Sequence, residues 1–155
     1  MLRIAVVSAA SAMLLAGCAD TTDYNTFPDG QRPWRETRVG HEVDYEVLDQ
    51  VLFRNDSADL SEHAERVIAA LADEAKRQGG TVVVDGYTDT TGTPEHNLEL
   101  SHARADAVAE VLAREGIRDH AIETHGFGET HLAVPTPDET VEPLNRRVVI
   151  RVIQG

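Results

Sequence analysis

The segment "GYTDTTGTPEHN", Gly86 to Asn97, decides how this chain is read. It follows a β-branched run, Thr81 to Val84, that reads as a short buried strand. It holds two glycines and four threonines around a single aspartate, Asp89. Thr93 has the right chemistry to cap a helix, and Pro94 suits the first helical position because its missing N–H would be unpaired there in any case. The stretch is therefore a strand, a tight turn and a helix start. A lone acid in such a turn either closes the fold or holds a ligand.

The same grammar extends in both directions. Upstream, Val47 to Phe53 reads as a first strand. Ser61 is a candidate N-cap, with Glu62 and Glu65 in the first turn to complement the helix dipole. Ala64, Val67, Ile68, Leu71, Ala72 and Ala75 then recur at helical spacing until Gly79-Gly80. Downstream, Ala105, Val108, Ala109 and Leu112 form the apolar face of the second helix, which Gly116 ends. "AIETHGFG" reads as a third strand, and "RRVVIRVI" alternates as a last one after a proline-containing loop. The order is β-α-β-α-β-β. It predicts an α/β (α+β) two-layer sandwich with a mixed sheet, because strand-helix-strand units favour right-handed parallel crossovers.

Residues 1–17 read as a signal peptide rather than a membrane span: Arg3, an apolar run, then small residues. The ending Leu15-Ala16-Gly17-Cys18 resembles the bacterial lipobox, which makes Cys18 the lipid-bearing residue of a Gram-negative envelope protein. As the only cysteine it excludes an intrachain disulfide. Acyl chains contribute about 0.8 kcal/mol per buried methylene, so several on one cysteine hold firmly. Ala19, in place of the aspartate familiar as an inner-membrane retention signal, favours the periplasmic face of the outer membrane. Residues 18–42 read as lipidated cysteine and tether, and 43–155 as the domain. The tether is polar, with Trp34 expected on the domain's flank or against a partner. Among 155 residues the net charge is −13, which argues against nucleic acid and anionic lipid headgroups as partners.

On the second helix, Asn97, Ser101, Arg104 and Val108 share one stripe. Asn97 and Arg104 stand about 10.5 Å apart along the axis. Asp89 lies just upstream, beside the free N–H groups of the first turn. Together these residues are suited to a small zwitterion: Asp89 for an ammonium, Arg104 for a carboxylate. Thr90, Thr91 and Gly92 let backbone approach a ligand. A structural ion pair between Asp89 and Arg104 is the alternative.

The segment "GYTDTTGTPEHNLELSHARADAV" resembles the central motif of the OmpA-like peptidoglycan-binding domain, a family that includes the peptidoglycan-associated lipoproteins. Gly86, Thr88, Asp89, Gly92, Asn97, Leu98, Leu100, Ser101, Arg104 and Ala105 carry the match. "LFRNDSADL" (52–60), "GFGET" (126–130) and "NRRVVI" (145–150) resemble the family's first strand and turn, late glycine turn and closing strand. The resemblance spans about residues 46–153. It implies binding of the meso-diaminopimelate stem peptide of peptidoglycan, with Asp89 on the ammonium at the D-centre and Arg104 on the adjacent carboxylate. It further implies hydrogen bonds from Asn97 and a pocket shaped by Leu100. Thr88 and Thr90 belong to the binding turn, and Arg147 and Asp56 to the edge. Tyr87 departs from the usual histidine, and Arg54-Asn55 from the acid common in strand one.

Catalysis finds no support in the spacings. His96 and His102 face different sides of their helix, and His120, His125 and His131 form no zinc pattern. Hydrolase and phosphate-loop motifs are missing, so neither a cofactor nor a metal is expected. An outer-membrane lipoprotein anchoring the membrane to peptidoglycan is the first reading. The alternative is a Tol-type lipoprotein that also binds a periplasmic β-propeller protein during envelope constriction. "GTPEHN" is close to that subgroup, whereas "LFRNDSADL" is closer to general OmpA-like lipoproteins.

Overall fold

A computed structural model describes residues 32–54 and 56–155; the expected signal peptide, the expected lipidation site Cys18 and most of the expected tether lie outside the described residues. Five strands form one mixed sheet in the order β1-β2-β5-β3-β4. They are β1 (Arg35–Val39), β2 (Glu42–Leu48), β3 (Thr81–Tyr87), β4 (Ile122–Gly126) and β5 (Arg147–Ile153). The helices are a single turn, α1 (Asp49–Leu52), and two long ones, α2 (Glu62–Gln78) and α3 (Pro94–Arg114). The α/β sandwich expected from the sequence is the observed fold.

The capping chemistry acts as read. Ser61 Oγ accepts from the Ala64 N–H at 3.0 Å, and Thr93 Oγ1 from the His96 N–H at 3.2 Å. The α3 crossover joins β3 and β4 as parallel neighbours. The α2 crossover does not join neighbours, because β5 inserts between β2 and β3 and pairs antiparallel with both. One apolar cluster fills the space between sheet and helices. Val43, Tyr45 and Val47 of β2, Val82 and Val84 of β3, and Val148, Ile150 and Val152 of β5 meet Val67, Ile68 and Leu71 of α2 and Val108 and Leu112 of α3. Their strand positions alternate, as the pleat requires.

Two boundaries differ from the sequence reading. The strand expected at Val47–Phe53 ends at Leu48, and Asp49–Leu52 turns as α1, which buries Asp49 and Leu52. The tether expected to run to residue 42 stops earlier. Arg35–Val39 pairs antiparallel with the first part of β2, Arg35 opposite Glu46 and Val39 opposite Glu42, through a turn in which Gly40 has φ +61°. β1 looks polar because it is an edge strand whose residues are exposed apart from a half-buried Glu36. Trp34, just before it, is buried at 8 % exposure and belongs to the core cluster. A chain beginning at His41 is therefore expected to lose about 2–3 kcal/mol relative to one beginning at Arg32, since burying a single large apolar side chain contributes about that much. Urea denaturation of the two fragments measures the difference.

α3 lies directly on the sheet. A Cβ at Gly86 would stand 2.2 Å from the Ser101 carbonyl oxygen, and one at Gly126 would stand 2.5 Å from the His102 backbone nitrogen. Two glycines on neighbouring strands thus bring the helix backbone onto the strands, at the level of Asn97, Ser101 and Arg104.

Candidate functional site

The turn after β3, the start of α3, the α1 turn and the segment before β5 enclose an open cleft of about 380 Å³. Asp89 and Thr88 line it from the turn, Asn97, Leu100 and Arg104 from α3, Asp49 and Phe53 from α1 and its exit, and Val141 and Arg146 from the late loop. Asp56, exposed and in a left-handed conformation at φ +46°, stands at the rim with His96, whose Nε2 lies 3.5 Å from Asp56 Oδ1.

Four buried or half-buried charges form the floor. Asp89, 4 % exposed, accepts from the Thr91 N–H at 3.1 Å through Oδ1. Its Oδ2 accepts from the Glu142 N–H at 3.2 Å and from Arg146 Nη1 at 3.0 Å. A carboxylate offers about four acceptor positions, so one remains. Arg104, 3 % exposed, donates Nε–H to the Ser57 carbonyl at 3.1 Å and places Nη1 3.4 Å from Asp49 Oδ2. Its guanidinium also stacks over Phe53, 5.1 Å from the ring centre. Burial lowers the Arg104 pKa, partly offset by Asp49. The group stays a cation, because a guanidinium starts so high. Arg146 Nε also reaches Asp49 Oδ2, at 3.1 Å. Burial is the largest single influence on Arg146 and opposes its charge, but Asp49 and Asp89 together raise its pKa.

The structural ion pair between Asp89 and Arg104 is thus not the arrangement found. Each is held by other partners: Asp89 by Arg146, Arg104 by Asp49. Asn97 ties the turn to the helix. Its Nδ2 approaches the carbonyls of Asp89 and Thr91 at 3.3 and 3.1 Å, and Glu129 Oε2 at 2.6 Å. Ser101, next along the stripe, accepts from the Gly128 N–H at 2.9 Å. Thr88 Oγ1 is buried and has no hydrogen-bond partner among the described residues.

Two sequence candidates point elsewhere. Thr90 faces the late loop: its Oγ1 donates to the Pro137 carbonyl at 2.7 Å and accepts from the Thr140 N–H at 3.1 Å, which anchors the cleft wall rather than lining it. Arg147 lies on the opposite sheet face, with its guanidinium 4.0 Å from the centre of the Tyr87 ring. The two residues are register partners in β3 and β5, so their side chains share a face. The residue before it, Arg146, is the one in the cleft; it belongs to the segment that leads into β5. Tyr87 therefore forms no wall of the cleft; it stacks on Phe127 with ring centres 5.2 Å apart. Asp49 and Arg146 are the two charges of the cleft floor that sequence reading missed. Arg146 had a signal in "NRRV", one position from the residue chosen. Asp49 had none, because it sat inside an expected strand.

This geometry meets an independent likeness in sequence. The family model described as OmpA family matches residues 52–146. The chain belongs to the OmpA family. The match contains the β3 turn, all of α3 and Arg146. An outer membrane protein of Gluconacetobacter diazotrophicus is 38 % identical over 107 residues, 64 % of this chain, and the chain spans only 28 % of that relative's length. A peptidoglycan-associated lipoprotein of Pseudomonas putida is 33 % identical over 113 residues, which covers 73 % of this chain and 68 % of the relative. In three dimensions the OmpA-family fold aligns with the cell wall anchor of the T6SS from Pseudomonas aeruginosa. The TM-score is 0.71 at 22 % identity, covering 79 % of this chain and 89 % of that one.

Proposed function

We propose that this OmpA-family protein anchors the outer membrane non-covalently to peptidoglycan, without catalysis, by holding the meso-diaminopimelate stem peptide in the cleft. The observation that carries the reading is the placement of Asp89 and Arg104 in one cleft, each neutralised by a different internal partner. A buried acid and a buried guanidinium that do not satisfy each other remain complementary to an ammonium and a carboxylate on one carbon. Asp89 retains an acceptor position for the ammonium, and the Arg104 fork has N–H groups beyond those used by Ser57 and Asp49 for the carboxylate. Asn97 orients the turn, Leu100 and Val141 supply apolar wall, Thr88 offers its unpartnered hydroxyl, and Asp56 stands at the rim. Lipid on Cys18 holds the other end in the membrane. Many weak contacts along one envelope add by avidity.

Titration with meso-diaminopimelate tests this. The parent is expected to bind saturably. Asp89→Ala is expected to weaken binding about 10- to 30-fold, the equivalent of one charge-assisted hydrogen bond. Equal affinity in the two proteins would remove Asp89 from the site. A second reading, in which a Tol-system β-propeller protein also binds, rests on the likeness of "GTPEHN" to the Tol-linked subgroup. Recovery of that propeller protein from periplasm with the bait distinguishes the readings; sedimentation with sacculi does not.

A further inference from the structure

Asp49 is the least expected charge in the cleft. It is 8 % exposed, and one of its oxygens, Oδ2, faces both Arg104 Nη1 at 3.4 Å and Arg146 Nε at 3.1 Å. Its backbone is fixed as well: the Asp49 N–H donates to the Arg146 carbonyl at 2.9 Å, and the Asp49 carbonyl accepts from the Phe53 N–H at 2.7 Å. The carboxylate therefore occupies part of the surface that the two guanidiniums would offer to an anion. With Asp49 and Asp89 set against Arg104 and Arg146, the floor carries no net formal charge. At the rim, Arg54 and Asp56 also cancel.

Resting on the wall-ligand reading above, we propose that Asp49 is a specificity-determining residue, an internal counter-ion that makes the cleft accept an α-ammonium carboxylate and reject a carboxylate that brings no ammonium. The electrostatics are direct. A zwitterionic centre adds no net charge to a neutral floor, and each of its groups meets an opposite partner. A plain carboxylate must share Arg104 with Asp49 while also approaching Asp89, and in a partly desolvated cleft that like-charge juxtaposition is not screened away. Removing the Asp49 charge leaves the floor with one net positive charge. The zwitterion then keeps its Asp89 contact, and the plain carboxylate loses its main obstacle. Asp49 acts through the arginines, so it is a positioning residue rather than a ligand contact.

The test compares two probes of equal chain length, meso-diaminopimelate and pimelate, on the purified full-length protein in detergent. The ratio of their dissociation constants is the readout, because it does not depend on the fraction of molecules folded. In the parent, pimelate is expected to bind far more weakly than the zwitterion. In Asp49→Asn, which keeps shape and removes charge, pimelate is expected to gain and the ratio to fall by about tenfold or more. Asp49→Ser gives the same comparison in a second background. A ratio unchanged within about twofold in these variants overturns the inference and leaves Asp49 a structural ion pair. A parent that binds neither probe overturns the wall-ligand reading itself, and the inference with it.

Discussion

Arg104→Ala is expected to abolish measurable binding of meso-diaminopimelate, with a loss of about 100-fold or more. Arg104 is the one guanidinium that α3 brings to the cleft among the described residues, and a fork that meets a carboxylate through two charge-assisted hydrogen bonds contributes about 3 kcal/mol, which converts to that factor. The side chain is also structural. It stacks on Phe53, donates to the Ser57 carbonyl and faces Asp49, so its removal lowers stability too. Arg104→Lys separates the two roles. It keeps the positive charge beside Asp49 but lacks the planar fork, so it is expected to fold with stability nearer the parent and still bind at least about tenfold more weakly. Calorimetric titration paired with thermal unfolding reads both quantities. Parent-like affinity in a folded Arg104→Lys protein would mean that the ligand does not use the fork.

The largest effect on stability is expected from Gly86→Val, a loss of about 4 kcal/mol or more. Gly86 is no turn residue, and its value here is not a left-handed conformation. It is a strand position whose missing Cβ makes room for a helix backbone, with the Ser101 carbonyl oxygen 2.2 Å from where that atom would be. Backbone has no alternative rotamer, so the helix must move, and overpacking of this kind costs more than the usual core substitution. The displacement would carry Asn97 and Arg104 away from the Asp89 turn. Urea denaturation should show a lower midpoint, and the folded fraction should bind ligand poorly. Gly40→Ala is a useful contrast. Its Cβ would meet nothing within 4 Å, so any cost comes from its φ of +61° alone and should stay near 1 kcal/mol. A Gly86→Val protein as stable as the parent would show that α3 can reseat on the sheet.

Local chemistry set the long elements and much of the candidate cleft. Helical spacing over 17 and 21 residues, with Ser61, Thr93 and Pro94 at the starts, is local information, and local hydrogen bonds realise it. Asp89, Asn97, Leu100 and Arg104 were also legible, because a turn and the helix it opens bring them to one cleft by short-range geometry. The remaining features depend on pairing across the chain. β1 became a strand because its register with β2 supplies hydrogen bonds and Trp34 finds the core; nothing in its polar pattern carries that. Strand order was equally hidden, since β5 enters between β2 and β3 from the far end of the sequence. That Arg147 turns away from the cleft was set by a pleat whose phase is fixed by its register partner Tyr87, some 60 residues earlier in β3, which leaves Arg146, just before the strand, as the cleft arginine. Asp49 joined the floor because the chain leaves β2 one turn sooner than its apolar residues suggest. Charges that neutralise one another across four separate segments leave no spacing to read, and only folding makes them neighbours.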